Sequence, residues 1–372
     1  MRDRVYMKKR ESNYELLRII LMLLIIVGHL LLNSERLGTI GTKEYYITNI
    51  MRSFTVFGVN GFILLSGYFG INLNYKKLIR LDIKIVFYTW IFWIIGIISG
   101  IHQINIIKDI LLIFPVITKR YWFITDYFVL CILSPFLNKF IRSLDREELK
   151  KLLLIGGIIF YVIATFCFMI NADQIVNDSG YGMINFIYLY FIGFYLKHYY
   201  EDKHDSIFYF ATYGIISIML FMVNWSMTKI NGFYFDSLIS YNTIFVLGGA
   251  ISLFLAFKNL KVPTNTIINR SAAACLSIYV IHTNPTTSQF MFCNILKINQ
   301  ITGIKLIPVI LAQACLIYVI CYLIDIIVDK MFVIYANESV MSTKINYAPE
   351  GLTVILMVGV NGAGKTTTIG KL

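Results

Sequence analysis

Residues 13–29 read Asn13-Tyr-Glu15-Leu-Leu-Arg18-Ile-Ile-Leu-Met-Leu-Leu-Ile-Ile-Val-Gly28-His29. With the apolar residues that follow, this run reaches the roughly 20 positions that a membrane-spanning helix needs. It comes after Arg2, Arg4, Lys8, Lys9 and Arg10, the basic start of a signal peptide. The run is too long for a signal peptide, however, and no A-x-A-like cleavage site follows it. A retained spanning helix is expected. Arg18 and His29 are eleven residues apart, which is about 20° beyond three full turns. Both side chains therefore lie on one face, roughly 16 Å apart along the axis. Glu15 lies on the same side and can pair with Arg18 at i, i+3. Gly28 leaves room beside His29 for another helix or a ligand. Charges at membrane depth are functional candidates by default. Equally, Arg18 can snorkel to the inner surface and His29 can pack as an ordinary histidine. The spacing alone leaves both readings open.

The rest of the chain has the same character. Of its 372 residues, 58% are hydrophobic and only 15% charged, and the mean hydropathy is +0.70. A soluble domain is about 25% charged, and disorder needs low hydrophobicity with high charge. An all-α polytopic membrane protein remains. Ten spans are expected, near 15–33, 54–71, 79–99, 121–138, 152–170, 181–197, 206–224, 238–257, 272–292 and 304–329. The short apolar segment 104–117, interrupted by Pro115, reads as re-entrant or interfacial. With the N-terminus inside, the inner segments 1–14, 72–80, 139–151, 197–205 and 258–270 carry 18 Lys and Arg, against 8 in the outer segments. This bias predicts cytoplasmic N- and C-termini. The net charge of +12 is thereby assigned to orientation in a lipid bilayer and not to nucleic acid.

Other spans carry polar residues too. The second is dense in Gly, Ser and Asn (Gly58, Asn60, Gly61, Ser66, Gly67, then Tyr68), which permits close helix approach. The fourth opens Lys119-Arg120-Tyr121-Trp122, an interfacial belt, and buries Asp126 about a turn deep, where it needs a partner or water. The ninth carries Ser277, Tyr279, His282 and Asn284 before Pro285, which will bend it. His102, His198 and His204 read as solvated. The six cysteines include no CxxC pair, so no metal site is expected.

These segments resemble the integral-membrane acyltransferase-3 family. The R-x10-H motif matches at Arg18 and His29. The FFxLSGF/Y element matches at Ser66, Gly67 and Tyr68. The YWF…LSPFLNK element matches 121–139, and SxxIYLIHxxP resembles 277–285. The resemblance covers about residues 12–334 and implies ten spans. It also implies an acyl donor, usually acetyl-CoA, entering from the cytoplasm as co-substrate with no bound cofactor. The acceptor it implies is a hydroxyl of an exported or cell-surface saccharide. Arg18 would hold a CoA phosphate or the pantetheine arm, and His29 would act as general base; a covalent acyl-His29 stays open. Glu15, Ser66, Tyr68, Trp122, Asp126, Tyr279 and His282 are second-tier substrate-binding candidates. Nothing resembles the SGNH hydrolase domain that some members append. A transporter or flippase also suits ten spans with intramembrane His and Arg, although no internal repeat is visible.

The composition changes after the last span. The domain reading is a cytoplasmic N-terminus (1–14), a transmembrane domain (15–334), a polar junction (335–353) and a tail (354–372). The tail reads VILMVGVNGAGKTTTIGKL and contains Gly359-x4-Gly364-Lys365-Thr366, a P-loop pattern after a strand-like run. It resembles the first nucleotide-binding motif of the signal-recognition-particle receptor GTPase. With the chain stopping at Leu372 and no Walker-B aspartate, the expectation is a truncated or fused fragment without GTPase activity. A receptor component read on the tail alone ranks last.

Overall fold

The computed structural model describes residues 11–33, 40–105 and 109–341. Among the described residues the regular elements are all helical and no strand occurs. The chain divides into two units, Met1–Asp325 and Ile326–Leu372. The first is a helical bundle. In the second, residues 326–341 are described and lie within one helix. The P-loop tail lies outside the described residues.

The bundle is built from α1 (Ser12–Asn33), α2 (Lys43–Thr55), α3 (Gly58–Phe69), α4 (Tyr75–Ile98), α5 (Trp122–Ser143) and α6 (Arg146–Met169). It continues with α7 (Met183–His198), α8 (Ser206–Asn231), α9 (Ile244–Lys258), α10 (Thr266–Ala273), α11 (Cys275–His282) and α12 (Leu306–Met341). Among the described residues, eight stretches are long and apolar enough to cross a membrane. They correspond to eight of the ten expected spans. The stretch expected at 181–197 is α7, a helix of 16 residues, just under the usual length of a span. It sits inside the bundle, with Phe186, Leu189 and Tyr190 fully buried. The stretch expected at 272–292 is not one helix. It breaks between α10 and α11, and α11 ends at His282. Pro285 explains that end: it offers no N–H, and it pushes Asn284 out of the helical region.

Two expected loops also differ. Residues 43–53, read as part of an outer loop, form α2. Thr42 caps it by accepting from the Tyr45 N–H at 3.2 Å. Its polar residues Thr48, Asn49, Arg52 and Ser53 are buried. The inner loop 139–151 shrinks to a turn at Leu144 and Asp145. There Asp145 and Glu148 form a reciprocal capping box at the start of α6. The segment 104–117 contains one 3-10 turn, Ile110–Ile113. His102, expected to be solvated, is half-buried with its Nε2 3.0 Å from Asp109 Oδ1. Burial pushes the Asp109 carboxyl up, but the Asn105 N–H and His102 donate to it and hold it below the usual carboxylate range.

The expected closeness of the second span is real. An added Cβ at Gly67 would lie 2.1 Å from the Tyr190 carbonyl oxygen, and one at Gly193 would lie 2.4 Å from that of Leu64. The backbones of α3 and α7 meet at these two glycines. Gly28 is different: a Cβ there would meet only Thr55 Oγ1, at 3.9 Å. On α4, Lys84 Nζ lies 2.6 Å from Asp325 Oδ1 on α12, and the Tyr88 hydroxyl donates to the same oxygen at 2.7 Å. This buried pair ties the two helices together.

The connections sort into two ends. At one, Ser12 Oγ donates to Asn269 Oδ1, Asn13 donates to the Phe257 carbonyl, and Lys258 pairs with Asp202 at 2.6 Å. At the other, Arg52 pairs with Asp236 at 2.9 Å and the Tyr241 N–H donates to the Ser179 carbonyl at 3.0 Å. The first end gathers segments expected inside, and the second gathers segments expected outside.

Candidate active site

The apolar run of α1 leaves it two polar markers, and α11 packs along the face that carries them. Cys275, at the start of α11, lies with its Sγ 3.5 Å from the Arg18 carbonyl. Seven residues later His282 meets His29: Nδ1 of His29 is 3.0 Å from Nε2 of His282. The two helices therefore run side by side in the same direction. His282 is fully buried, and its Nδ1 lies 2.6 Å from the Ile278 carbonyl oxygen one turn back. The Tyr279 ring stands 6.4 Å from the His29 ring and 6.1 Å from that of His282, centre to centre.

The break after His282 is held by the residues that open α5. Asn284 Nδ2 donates to the Tyr121 hydroxyl at 2.9 Å, and Arg120 Nη2 donates to Thr286 Oγ1 at 2.9 Å. The two late sequence elements, 121–139 and 277–285, thus meet at one place. That meeting fixes the α11 end against α5.

Arg18 lies at the other end of the marked face of α1. Its Nε is 3.7 Å from Glu15 Oε2, as the i, i+3 spacing predicts, and its guanidinium carbon is 5.9 Å from the centre of the Phe69 ring. A cavity of about 290 Å³ is lined there by Glu15, Arg18, Ser66, Tyr127 and Tyr279. Two smaller cavities, of about 160 and 210 Å³, both touch His29 and Trp122. The larger of these two shares Tyr279 with the Arg18 cavity, and the smaller shares Ile25 and Val59 with it. Three neighbouring cavities therefore lie along the face of α1 between arginine and histidine, with Ile25, Val59 and Tyr279 as shared walls.

Of the expected site residues, His29, His282, Tyr279 and Trp122 come together at one end of this face, and Glu15, Arg18 and Ser66 at the other. His282, Tyr68 and Asp126 line none of the three cavities. The Tyr68 hydroxyl pairs with that of Tyr14 at 2.9 Å, and its ring lies under Lys197 and Lys258, at 5.7 and 6.0 Å. Asp126 is buried, and its Oδ2 has no hydrogen-bond partner among the described residues. Gly359, Gly364, Lys365 and Thr366 lie outside the described residues. Among the described residues no group of three or more His, Cys, Asp or Glu could hold a metal ion.

Several lining residues were not marked by the sequence. Arg52, Tyr181 and Tyr241 line the 160 Å³ cavity beside His29. The rings of Trp122 and Tyr181 are 4.6 Å apart, and those of Tyr181 and Tyr241 are 4.9 Å apart. Arg120 and Tyr121 line the 210 Å³ cavity. The sequence carried a signal for the last two, since they adjoin Trp122, but their composition also fits an interfacial belt. Arg52 fell in a stretch read as loop.

The family model described as "Acyltransferase domain", that of acyltransferase-3, matches residues 11–326. Short matches are found to the "Signal recognition particle receptor FtsY" of several bacteria. That of Metamycoplasma hominis is 54% identical over 48 residues, 13% of this chain and 14% of the relative. That of Bacillus subtilis is 49% identical over 48 residues, 13% of this chain and 15% of the relative. The chain thus spans about one seventh of the length of these relatives. No solved structure matches the chain. The family match covers the whole of the bundle described above, from α1 into α12, and so takes in both Arg18 and His29. The chain belongs to the acyltransferase-3 family of membrane acyltransferases.

Proposed function

We propose that this protein moves an acetyl group from acetyl-CoA to a hydroxyl of an exported or cell-surface saccharide, at the cell membrane. The observation that carries this reading is the pair of neighbouring cavities, one lined by Arg18 and the other by His29, with Tyr279 as a shared wall. In this reading Arg18 faces the cytoplasm and grips a phosphate or the pantetheine arm of the donor, because guanidinium forms strong charge-assisted bonds to phosphate. The thioester reaches along the face of α1 toward His29. The acceptor hydroxyl comes from the opposite side, beside Trp122.

The chemistry is an acyl exchange. The acceptor oxygen attacks the thioester carbonyl carbon while His29 takes its proton as general base. The carbon–sulfur bond then breaks, and the CoA thiolate leaves with the proton that His29 returns. Nothing is oxidised or reduced, and no metal is needed to balance the step. A histidine is suited to the exchange because its ordinary titration range lies close to neutral pH.

Mass spectrometry of surface glycans tests this reading. Cells carrying the wild-type gene are compared with cells carrying His29→Ala, with insertion of each protein in the membrane checked by immunoblot. Acetylated glycan in the wild type, and its loss in the inserted variant, is the expected result. Equal acetylation in both would remove His29 from the chemistry. Unchanged glycans on deleting the gene would remove the saccharide as acceptor.

A further inference from the structure

We infer that His282 is a positioning residue that sets which nitrogen of His29 is basic. A carbonyl oxygen has no proton to give. The 2.6 Å contact between the Ile278 oxygen and His282 Nδ1 is therefore a hydrogen bond only if Nδ1 carries the proton. For a neutral imidazole that leaves Nε2 of His282 as an acceptor. Nε2 faces Nδ1 of His29 at 3.0 Å, so Nδ1 of His29 must be the donor. Its proton is then fixed on Nδ1, and its lone pair lies on Nε2. For two neutral rings this assignment is unique. The opposite tautomer of His29 would aim a lone pair at a lone pair, or else turn the His282 lone pair onto the Ile278 carbonyl.

The relay is rigid for stated reasons. Ile278 and His282 are four residues apart on α11, so the accepting carbonyl lies one turn below the ring that it fixes. His282 is fully buried and α11 packs along α1, which denies the ring other partners such as water. The inference deepens the proposed function and rests on it for the role of Nε2: the general base is the nitrogen that the relay leaves unprotonated. His282 itself need not touch either substrate. The arrangement fixes a base by hydrogen bonding to its other nitrogen, a role that a carboxylate or backbone carbonyl fills elsewhere.

The test uses His282→Gln and His282→Ala in the full-length chain, in native membranes. Glutamine keeps both bonds without a ring: its oxygen accepts from His29 Nδ1, and its amide donates to Ile278. Alanine keeps neither. The first readout is incorporation of labelled acetyl from acetyl-CoA into membrane glycans. The alanine variant is expected to lose about 10- to 100-fold in kcat, the usual cost of removing such an outer partner. Its KM for acetyl-CoA should stay within about twofold, because Arg18 is untouched. The glutamine variant should recover at least a third of the wild-type rate. An alanine variant as active as wild type, or a glutamine variant as impaired as alanine, overturns the inference. The second readout is nitrogen NMR on histidine-labelled protein, with His29 assigned by difference against His29→Ala. A proton on Nδ1 of His29 in wild type and in His282→Gln is expected; a proton on Nε2 overturns the inference. The NMR result stands whether or not acetyl transfer is seen. Failure of the proposed function and failure of the relay are thus separable.

Discussion

Arg18 and His29 share a helix face, but they are held in different ways, and their substitutions should read out differently. Arg18 is paired with Glu15 and faces open space; His29 is bonded to a buried ring on another helix. Under the proposed function, Arg18→Ala should raise the KM for acetyl-CoA about tenfold or more, since a hydrogen bond to a charged group is worth roughly 1.5–3 kcal/mol. Its kcat should fall less. Steady-state kinetics with acetyl-CoA as the varied substrate checks this, and a loss confined to kcat would remove Arg18 from donor binding. At this scale the sequence was legible where a charge or an imidazole stood alone in an apolar run. His282 was visible as polar, but its bond to His29 was not. Those residues are 253 positions apart, and only the packing of α11 on α1 brings them together.

The helices show where close packing is obligatory and where it is not. Gly193→Ala pushes a methyl group against the Leu64 carbonyl of α3, and backbone cannot step aside as a side chain can. Overpacking of this kind costs about 1–3 kcal/mol, so thermal unfolding in detergent should move to lower temperature. Gly28→Ala meets only Thr55 Oγ1 at ordinary contact distance and should melt like the wild type; equal behaviour of the two variants would contradict the seam. The Lys84–Asp325 pair gives a second contrast. Removing Lys84 leaves the buried Asp325 carboxylate without its cation and should cost about 3–5 kcal/mol, whereas replacing both by apolar residues, as in Lys84→Met with Asp325→Leu, should restore much of the loss. The same melting measurement separates these outcomes. Most long helices were legible, because an apolar run of spanning length has few other fates. The exceptions have physical causes. α7 was read from its apolar run as a full span; it has 16 residues, and Phe186, Leu189 and Tyr190 are fully buried in the bundle. α2 hides its helical character behind polar residues that its neighbours satisfy, Arg52 through Asp236 among them. Pro285 announced a bend, but not that α11 would stop at the histidine that meets His29.

For the whole molecule, the excess of basic residues and the pattern of connections agree. Three of the segments expected inside meet at one end of the bundle, where Ser12 bonds to Asn269 and Lys258 pairs with Asp202. Under the proposed function that end faces the cytoplasm, as the charge bias predicts. Cysteine-accessibility mapping in a cysteine-free background checks the assignment. Asn177→Cys, between α6 and α7, should react with a membrane-impermeant thiol reagent in intact cells. Lys203→Cys, between α7 and α8, should react only after permeabilisation. The reverse pattern would invert the proposed entry sides of donor and acceptor. The distance in sequence between the paired histidines has a consequence for biosynthesis. A ribosome makes α1 early and α11 some 250 residues later, so the His29–His282 bond cannot exist while the chain is still emerging. Under the proposed function, the growing protein enters the membrane without its completed base, and the capacity for chemistry arrives only as the last quarter of the bundle closes against the first helix.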